Sequence, residues 1–308
     1  MTTQQSTIEA ALAITRAAHC QQATALDTIQ RLSGGMNNDV YRVQLGSQPV
    51  CIKLYKIDER RRAEREWQAL CLLTQHGLSI APQPLHFSPD PELPAVVMEF
   101  VPGVSLREHL PGPRELAALA DTLKQLYALT PEVIAYPHAV TGTPAVFMQR
   151  VESWLDQLTA RADEPLVGQI REVAAQWHRE ADREILERPA PVVFSRGDPN
   201  LAHCLWDGRR VRCVDLEYSG WSDRAFDLAD LVEAQPSRHI GDRTWQRFLD
   251  SFELHEPAAQ QRLNAARRLC AIFWIMLLWL RRERGDSVDQ ELAAQIQRAH
   301  DRLNNATL

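Results

Sequence analysis

The sequence predicts an α+β protein in which a small antiparallel-sheet lobe precedes a larger helical one. Three observations predict it. Turn-separated runs rich in β-branched residues fill much of the first hundred positions. After a Pro-Gly break at 102–103, apolar residues recur at three- and four-residue spacing, and only two short β segments interrupt that pattern. The boundary is expected at this break, giving regions 1–101 and 102–308.

A helix is expected within 7–20. IQRLSG and DVYRVQL flank GGMNN, and QPVCIKLY completes a three-strand meander. DERRRAEREWQALCLLTQHG follows as a helix with Ala63, Trp67, Leu70 and Cys71 along one side, ending near Gly77. PELPAVVMEFVPG supplies a strand from Ala95 to about Phe100. Further on, PRELAALADTLKQLYAL, TPAVFMQRVESWLDQLTARA and GQIREVAAQWHREADREILER each read as a helix, as do segments of the last seventy residues. APVVFS and RRVRCVDLE are the interrupting strands, the latter ending around Asp215, with LAHCLW pairing to it across an Asp207-Gly208 turn.

Composition limits the function. The 308 residues carry 34 basic and 40 acidic side chains, so no broad positive field exists to hold a nucleic-acid backbone. The six cysteines are scattered without a CxxC pair, which favours reduced thiols over disulfides or a zinc knuckle. MTTQQSTIEAALAI lacks the basic start and continuous apolar stretch of a secretory signal, and a cytoplasmic location is expected. The apolar run LCAIFWIMLLWL at 269–280 would rise about 18 Å as a helix, against a hydrocarbon core of roughly 30 Å, and RRER follows it. A buried helix is expected there, with no membrane partner.

Several polar residues stand where strands and helices end. In LSGGMNNDVYRV, Gly34 and Gly35 permit close backbone approach, which suits an ordinary hairpin or a phosphate-covering loop. No Walker or dinucleotide fingerprint accompanies them. Lys53 sits in the otherwise apolar strand VCIKLY, where a lysine either snorkels from an edge or reaches a buried anion. Glu66 on the next helix is its expected clamp, with Glu64 the alternative. Asp198 follows a strand in a GDPN turn, and Asp215 ends the next hairpin. Phosphoryl transfer needs such a pair: one carboxylate to align or accept the acceptor's proton, and another to hold Mg²⁺ against the phosphates. Glu217 shares Asp215's side of the strand by two-residue alternation.

These pieces resemble the aminoglycoside phosphotransferase and choline kinase-like family, whose fold is protein kinase-like. The resemblance runs through LSGGMNNDVYRV, VCIKLY, RRAEREWQALCLL, VVMEFVPGVSL, VFSRGDPNLAHCLW, VRCVDLEYSG and DRAFDLADL, together spanning about 30–233. It implies a two-lobed kinase fold, with 1–101 binding nucleotide and 102–308 carrying catalysis and the acceptor. It further implies Asp198 as the catalytic-loop aspartate, Asp215 as principal Mg²⁺ ligand, and Lys53 with Glu66 as the phosphate-positioning pair. Glu99 to Val101 would be the hinge that meets the adenine of ATP through backbone groups. Asp227 would brace the catalytic loop or serve as the N-terminal charge of a helix.

Two positions depart from the family pattern. Arg196 stands where a histidine usually precedes the aspartate, and His203 stands where asparagine usually supplies the second metal ligand. Imidazole matches Mg²⁺ less well than an amide oxygen, so His203 either faces the metal, through water, or packs within the loop. The expected function is ATP- and Mg²⁺-dependent transfer of a γ-phosphate to a small hydroxylated acceptor, cationic or neutral, with Tyr218 or Trp221 as aromatic contacts or as core. A catalytically impaired nucleotide-binding pseudokinase is the alternative. No nucleic acid and no obligate protein partner are inferred.

Overall fold

The computed structural model describes residues 3–20, 25–26, 28–32, 38–158 and 164–304. The chain divides into two compact units that are not contiguous in sequence: residues 1–109 with 202–219, and residues 110–201 with 220–308.

In the first unit, strands β1 (Ala25–Leu26), β2 (Ile29–Arg31), β3 (Asn38–Leu45), β4 (Gln48–Tyr55), β5 (Pro84–Ser88) and β6 (Ala95–Glu99) form one sheet in the order β1-β2-β3-β4-β6-β5, with every pairing antiparallel. The expected meander is its β2-β3-β4 portion. Gly46, at φ +58°, lets β3 turn straight into β4, which sets Leu45 opposite Gln48 and Val40 opposite Lys53. Alternation then separates the two faces of β4. Ile52 and Leu54 join Ile8, Ala11 and Leu12 of helix α1 (Thr3–Cys20) in an apolar cluster, whereas Cys51, Lys53 and Tyr55 point the other way.

Helix α2 (Arg62–Gln75) buries Ala63, Glu66, Ala69, Leu70 and Leu73. Its buried stripe is rotated from the expected one: Ala63 and Leu70 are core, but Trp67 and Cys71 are only half-buried, and Trp67 stacks on Phe87 of β5. That unanticipated strand supplies the apolar surface that takes up the tryptophan. At the helix end, Leu78 N–H donates to Leu73 O and Gly77, at φ +71°, stops the helix where the sequence placed the stop. Strands β7 (Val104–Ser105), β9 (Cys204–Trp206) and β10 (Val211–Cys213) make a second small sheet, β10 pairing with β9 across the expected Asp207-Gly208 turn. Asp207 Oδ1 fixes that turn by accepting from the Arg209 and Arg210 amides, at 2.9 Å each.

The second unit is mainly helical: α3 (Pro113–Tyr127), α4 (Pro144–Gln157), α5 (Pro165–Trp177), α6 (Asp182–Glu187), α7 (Arg224–Glu233), α8 (Asp242–Asp250), α9 (Pro257–Glu283) and α10 (Asp289–Asn304). Strand β8 (Val192–Ser195) pairs antiparallel with β11 (Gly220–Asp223), a strand the sequence did not announce. Gly220 is needed there, because a Cβ would come within 2.5 Å of the Ala139 carbonyl carbon. The segment expected as one helix after Gly168 is two, α5 and α6. The break starts α6 at Asp182, whose buried carboxylate takes a forked pair of bonds from Arg268 of α9, at 2.8 and 2.5 Å.

Helix α9 contains the apolar run at 269–280. Among the described residues it is the one helix long and apolar enough to cross a membrane, yet 72% of its most apolar window is buried, and α4, α6, α7 and α10 pack around it. A fully buried Glu233, at the end of α7, accepts from Arg267, Arg298 and Arg302 at 2.9, 2.6 and 2.9 Å, and Arg238 donates to its carbonyl. Asp242 takes a second bond from Arg298 and from Arg302. One carboxylate thus ties α7 to α9 and α10.

Burial would raise the Glu233 pKa, but the surrounding guanidiniums hold it far below the usual value of 4.5. Because the folded-state pKa is depressed, the stabilisation is complete at neutral pH and is lost as pH falls below that value. Glu233→Gln should therefore cost about 3–5 kcal/mol at neutral pH, as expected for breaking one side of a buried pair. The loss should shrink in acid, which chemical denaturation of wild type and variant across that range will check.

Candidate active site

The first unit gathers three carboxylates, Glu66, Asp215 and Glu217, around the ammonium of Lys53. Lys53 is 4% exposed on the inner face of β4. Its Nζ donates to Glu66 Oε2 and Asp215 Oδ1, both at 2.6 Å, and lies 3.2 Å from Glu217 Oε2. Burial alone would drive the ammonium pKa down, but Asp215, Glu66 and Glu217, with Tyr55, hold it well above its usual value, so Lys53 stays charged. The partner is Glu66; Glu64 instead pairs with Arg61 on the helix surface. Glu66 is held in turn by the Tyr55 hydroxyl and by the Leu216 amide at 3.2 Å.

Asp215 follows β10 with φ +63°, a left-handed conformation unfavourable for a residue with a Cβ and frequent at functional sites. Its second oxygen lies 3.5 Å from His203 Nε2. Glu217 accepts from Asn38 Nδ2 at 2.5 Å, and burial raises its pKa against the pull of Lys53. Glu66, Asp215 and Glu217 can each aim one oxygen so that the three lie within 4.8 Å of one another. This is a hard-oxygen donor set, the kind that Mg²⁺ prefers.

A cavity of about 260 Å³ opens from this cluster. Lys53, Glu66, Asp215 and His203 line one part of it, and Met98, Glu99, Phe100 and Val101 line another. The expected phosphate-positioning pair and the expected hinge therefore border the same space. Cys51 also lines it, with a thiol pushed by burial up to about 12 and so kept protonated. Gly34 and Gly35 lie outside the described residues.

In the second unit, Asp198 stands in the turn after β8. Its Oδ1 accepts from the Asn200 amide at 2.9 Å, and Gly197 takes φ +69° to make the bend. Arg196, in the usual histidine position, is 3% exposed and directs two guanidinium N–H groups at the Asn200 carbonyl, each at 3.3 Å, closing the loop on itself. Ser195 Oγ accepts from the Gly197 amide at 2.9 Å and donates to Asp227, which also accepts from Tyr127 at 2.6 Å. Asp227 thus holds the loop through Ser195. Of the two candidate aromatics, Trp221 is committed to β11, its Nε1 donating to Tyr136 O at 2.9 Å and its ring meeting Phe194 edge-on. Tyr218 lies in the first unit, half-buried, with the Arg62 guanidinium 5.8 Å from its ring centre.

Sequence reasoning did not single out Trp274 of α9. Its Nε1 donates to Asp230 at 3.4 Å, and Asp230 lies one turn beyond Asp227 on α7. Its only signal was a tryptophan in an apolar helix. Asp230 has no cation at ion-pair distance among the described residues; burial first, then the charges of Asp227 and Asp198, raise its pKa to about 7.

These features define a protein kinase-like fold, with an antiparallel sheet in one region and helices in the other. The solved structures agree. The structure is similar to a choline/ethanolamine kinase family protein from Mesorhizobium loti, with 18% identity, a TM-score of 0.66 and 95% of each chain covered. It is also similar to a choline kinase from Cryptosporidium parvum, at 14% identity, TM-score 0.63, and 90% and 89% coverage of this chain and that one. A third similar structure is a spectinomycin phosphotransferase in complex with ADP and spectinomycin, at 14% identity, TM-score 0.60 and 93% coverage of each chain. Residues 28–268 match the model of the phosphotransferase enzyme family, and the chain belongs to that family. No curated protein matches it in sequence.

The raised Asp230 pKa has a measurable sign. Between the usual value of 3.8 and about 7 the folded protein keeps a proton that the unfolded chain releases, and above about 7 it bears an unfavourable charge. Asp230→Asn should raise the melting temperature above that upper value, with the gain fading to nothing at and below 3.8. Thermal melts of both proteins across this interval will show it; a pH-independent difference would contradict the assignment.

Proposed function

We propose that the protein is a small-molecule kinase that moves the γ-phosphate of ATP, with Mg²⁺, to a hydroxyl of a cationic acceptor. The observation that carries this reading is the Lys53 ammonium, held by Glu66 at the edge of a cavity whose other wall is the 99–101 segment. A buried ammonium locked by a helix glutamate is a fixed positive charge suited to phosphate oxygens. Family membership supports phosphoryl transfer, and the similar structures include one solved with ADP.

In this reading Asp215 is the principal metal-holding residue, with Glu217 and His203 beside it. Bound Mg²⁺ would supply neutralisation of phosphate charge. Lys53 orients the phosphates, and the backbone of 99–101 holds the base. Asp198, its carboxylate set by the Asn200 amide, aligns the acceptor hydroxyl and takes its proton. Asp230 supports the cationic part: half-buried, with the Trp274 indole donating to it at 3.4 Å and no cation at ion-pair distance among the described residues, its carboxylate leaves a charge for an ammonium group to answer.

An acceptor screen with ATP and Mg²⁺ tests this directly, and only neutral or acidic products would remove the cationic part. Asp198→Asn should lower transfer by about 10²–10⁴-fold while nucleotide binding persists, since it loses proton acceptance with little change in size. Asp215→Ala should weaken Mg²⁺-dependent nucleotide binding as well as turnover. Near-wild-type transfer by both folded variants would refute these roles. His203→Asn restores an amide oxygen beside Asp215 and should raise Mg²⁺ affinity, whereas identical affinities would take His203 out of the metal site.

A further inference from the structure

Glu99 ends β6 at the cavity wall, and its polar groups are committed on the side toward residues 80–83. Its amide donates to Gln83 O at 2.9 Å, and the Gln83 amide donates to its Oε2 at 3.2 Å. Arg212, in the middle of β10, meets the same carboxylate with both arms, Nη1 to Oε1 at 2.7 Å and Nη2 to Oε2 at 2.5 Å. Nη2 also donates to Ala81 O at 2.7 Å, and the next residue, Cys213, donates its amide to Ile80 O at 2.7 Å. Arg212 is 5% exposed, so its charge is shielded from solvent, and its hydrogen bonds hold the Glu99 carboxyl below its usual range. One guanidinium therefore joins β10, the 80–83 segment and the end of β6.

We propose that Arg212 is a positioning residue for the nucleotide base: through Glu99 it fixes the 99–101 backbone that lines the cavity. The inference rests on the nucleotide reading of that cavity. It also assigns the Glu99 carboxylate, which is an anchor for Arg212 and not a contact to the base. The forked geometry matters because a lysine ammonium cannot meet both carboxylate oxygens and the Ala81 carbonyl in one plane. Loss of the fork frees the wall that meets the base while leaving Lys53, at the phosphate end, with all its own partners.

The test measures binding of ATP and of inorganic tripolyphosphate, both with Mg²⁺, to wild type, Arg212→Lys, Glu99→Gln and the double variant, with thermal melts confirming that each is folded. Arg212→Lys keeps the charge and so guards against misfolding. Each single change should weaken ATP binding about tenfold, and the double variant should be no weaker than the weaker single, because both remove one contact. Tripolyphosphate, which has no base, should bind wild type and variants alike. A wild type that binds no nucleotide would overturn the reading of the cavity, and this inference with it. If wild type binds ATP but the variants bind it equally well, or lose ATP and tripolyphosphate to the same extent, the positioning role is wrong while the cavity reading stands.

Discussion

The structure of the first unit turns on a buried ammonium that must be neutralised. Lys53 sits where two-residue alternation along β4 removes it from solvent, and an unpaired ammonium there would lose its proton or unfold the strand. Three carboxylates from different parts of the chain answer that demand: Glu66 from α2, and Asp215 and Glu217 from the segment after β10. The charge requirement thus joins the helix and the post-β10 segment to the sheet. Three carboxylates against Lys53 and the Arg62 guanidinium, which lies 3.9 Å from Glu217 Oε1, still leave the cluster acidic, and Asp215, the most exposed of the three at 22%, presents that excess to the cavity. A divalent cation is the natural complement of such an excess.

The second unit solves the opposite problem. Glu233 is a single buried carboxylate ringed by guanidiniums, with Asp242 offsetting some of the remaining positive charge, and it has no exposed edge through which chemistry could proceed. Its work is structural. Asp227 and Asp230, two turns and one turn earlier on the same helix, differ from it in having no arginine at ion-pair distance among the described residues. Asp227 is stabilised by hydroxyl donors and grips the loop, while Asp230 is left with one long indole bond. Along α7, carboxylate function changes turn by turn with the partners that neighbouring elements supply.

Much of this was legible in the sequence, and where it was not the reason is physical. The Lys53–Glu66 pair was readable because a lysine in an apolar strand requires a partner and the next helix offers only two nearby glutamates. The meander and the Asp207-Gly208 hairpin were readable because period-two runs and a turn dipeptide are local signals. Strands β5, β7 and β11 were not: they are short, and their pairing is decided by distant chain. The stripe on α2 was misplaced for a related reason. Trp67 looks like core by hydrophobicity, yet the inner face belongs to Ala63, Glu66 and Ala69, small or charged residues that fit only because Lys53 and Tyr55 lie opposite. Periodicity finds apolar faces, and here the face that matters is built around a charge.

The two departures from the family pattern show how a site tolerates substitution. Arg196, in place of a histidine, is buried and reaches forward to the Asn200 carbonyl, so it closes the turn that carries Asp198. Its role is to hold the backbone, which a longer side chain with several donors can do from the same position. His203 differs, because its Nε2 faces Asp215 at 3.5 Å, close to a candidate metal-holding oxygen. An imidazole there can donate to a carboxylate or accept from a metal-bound water, but it offers no hard oxygen of its own. Among the described residues the hard oxygens beside Asp215 come instead from Glu66 and Glu217, each able to place one oxygen within 4.8 Å of the others.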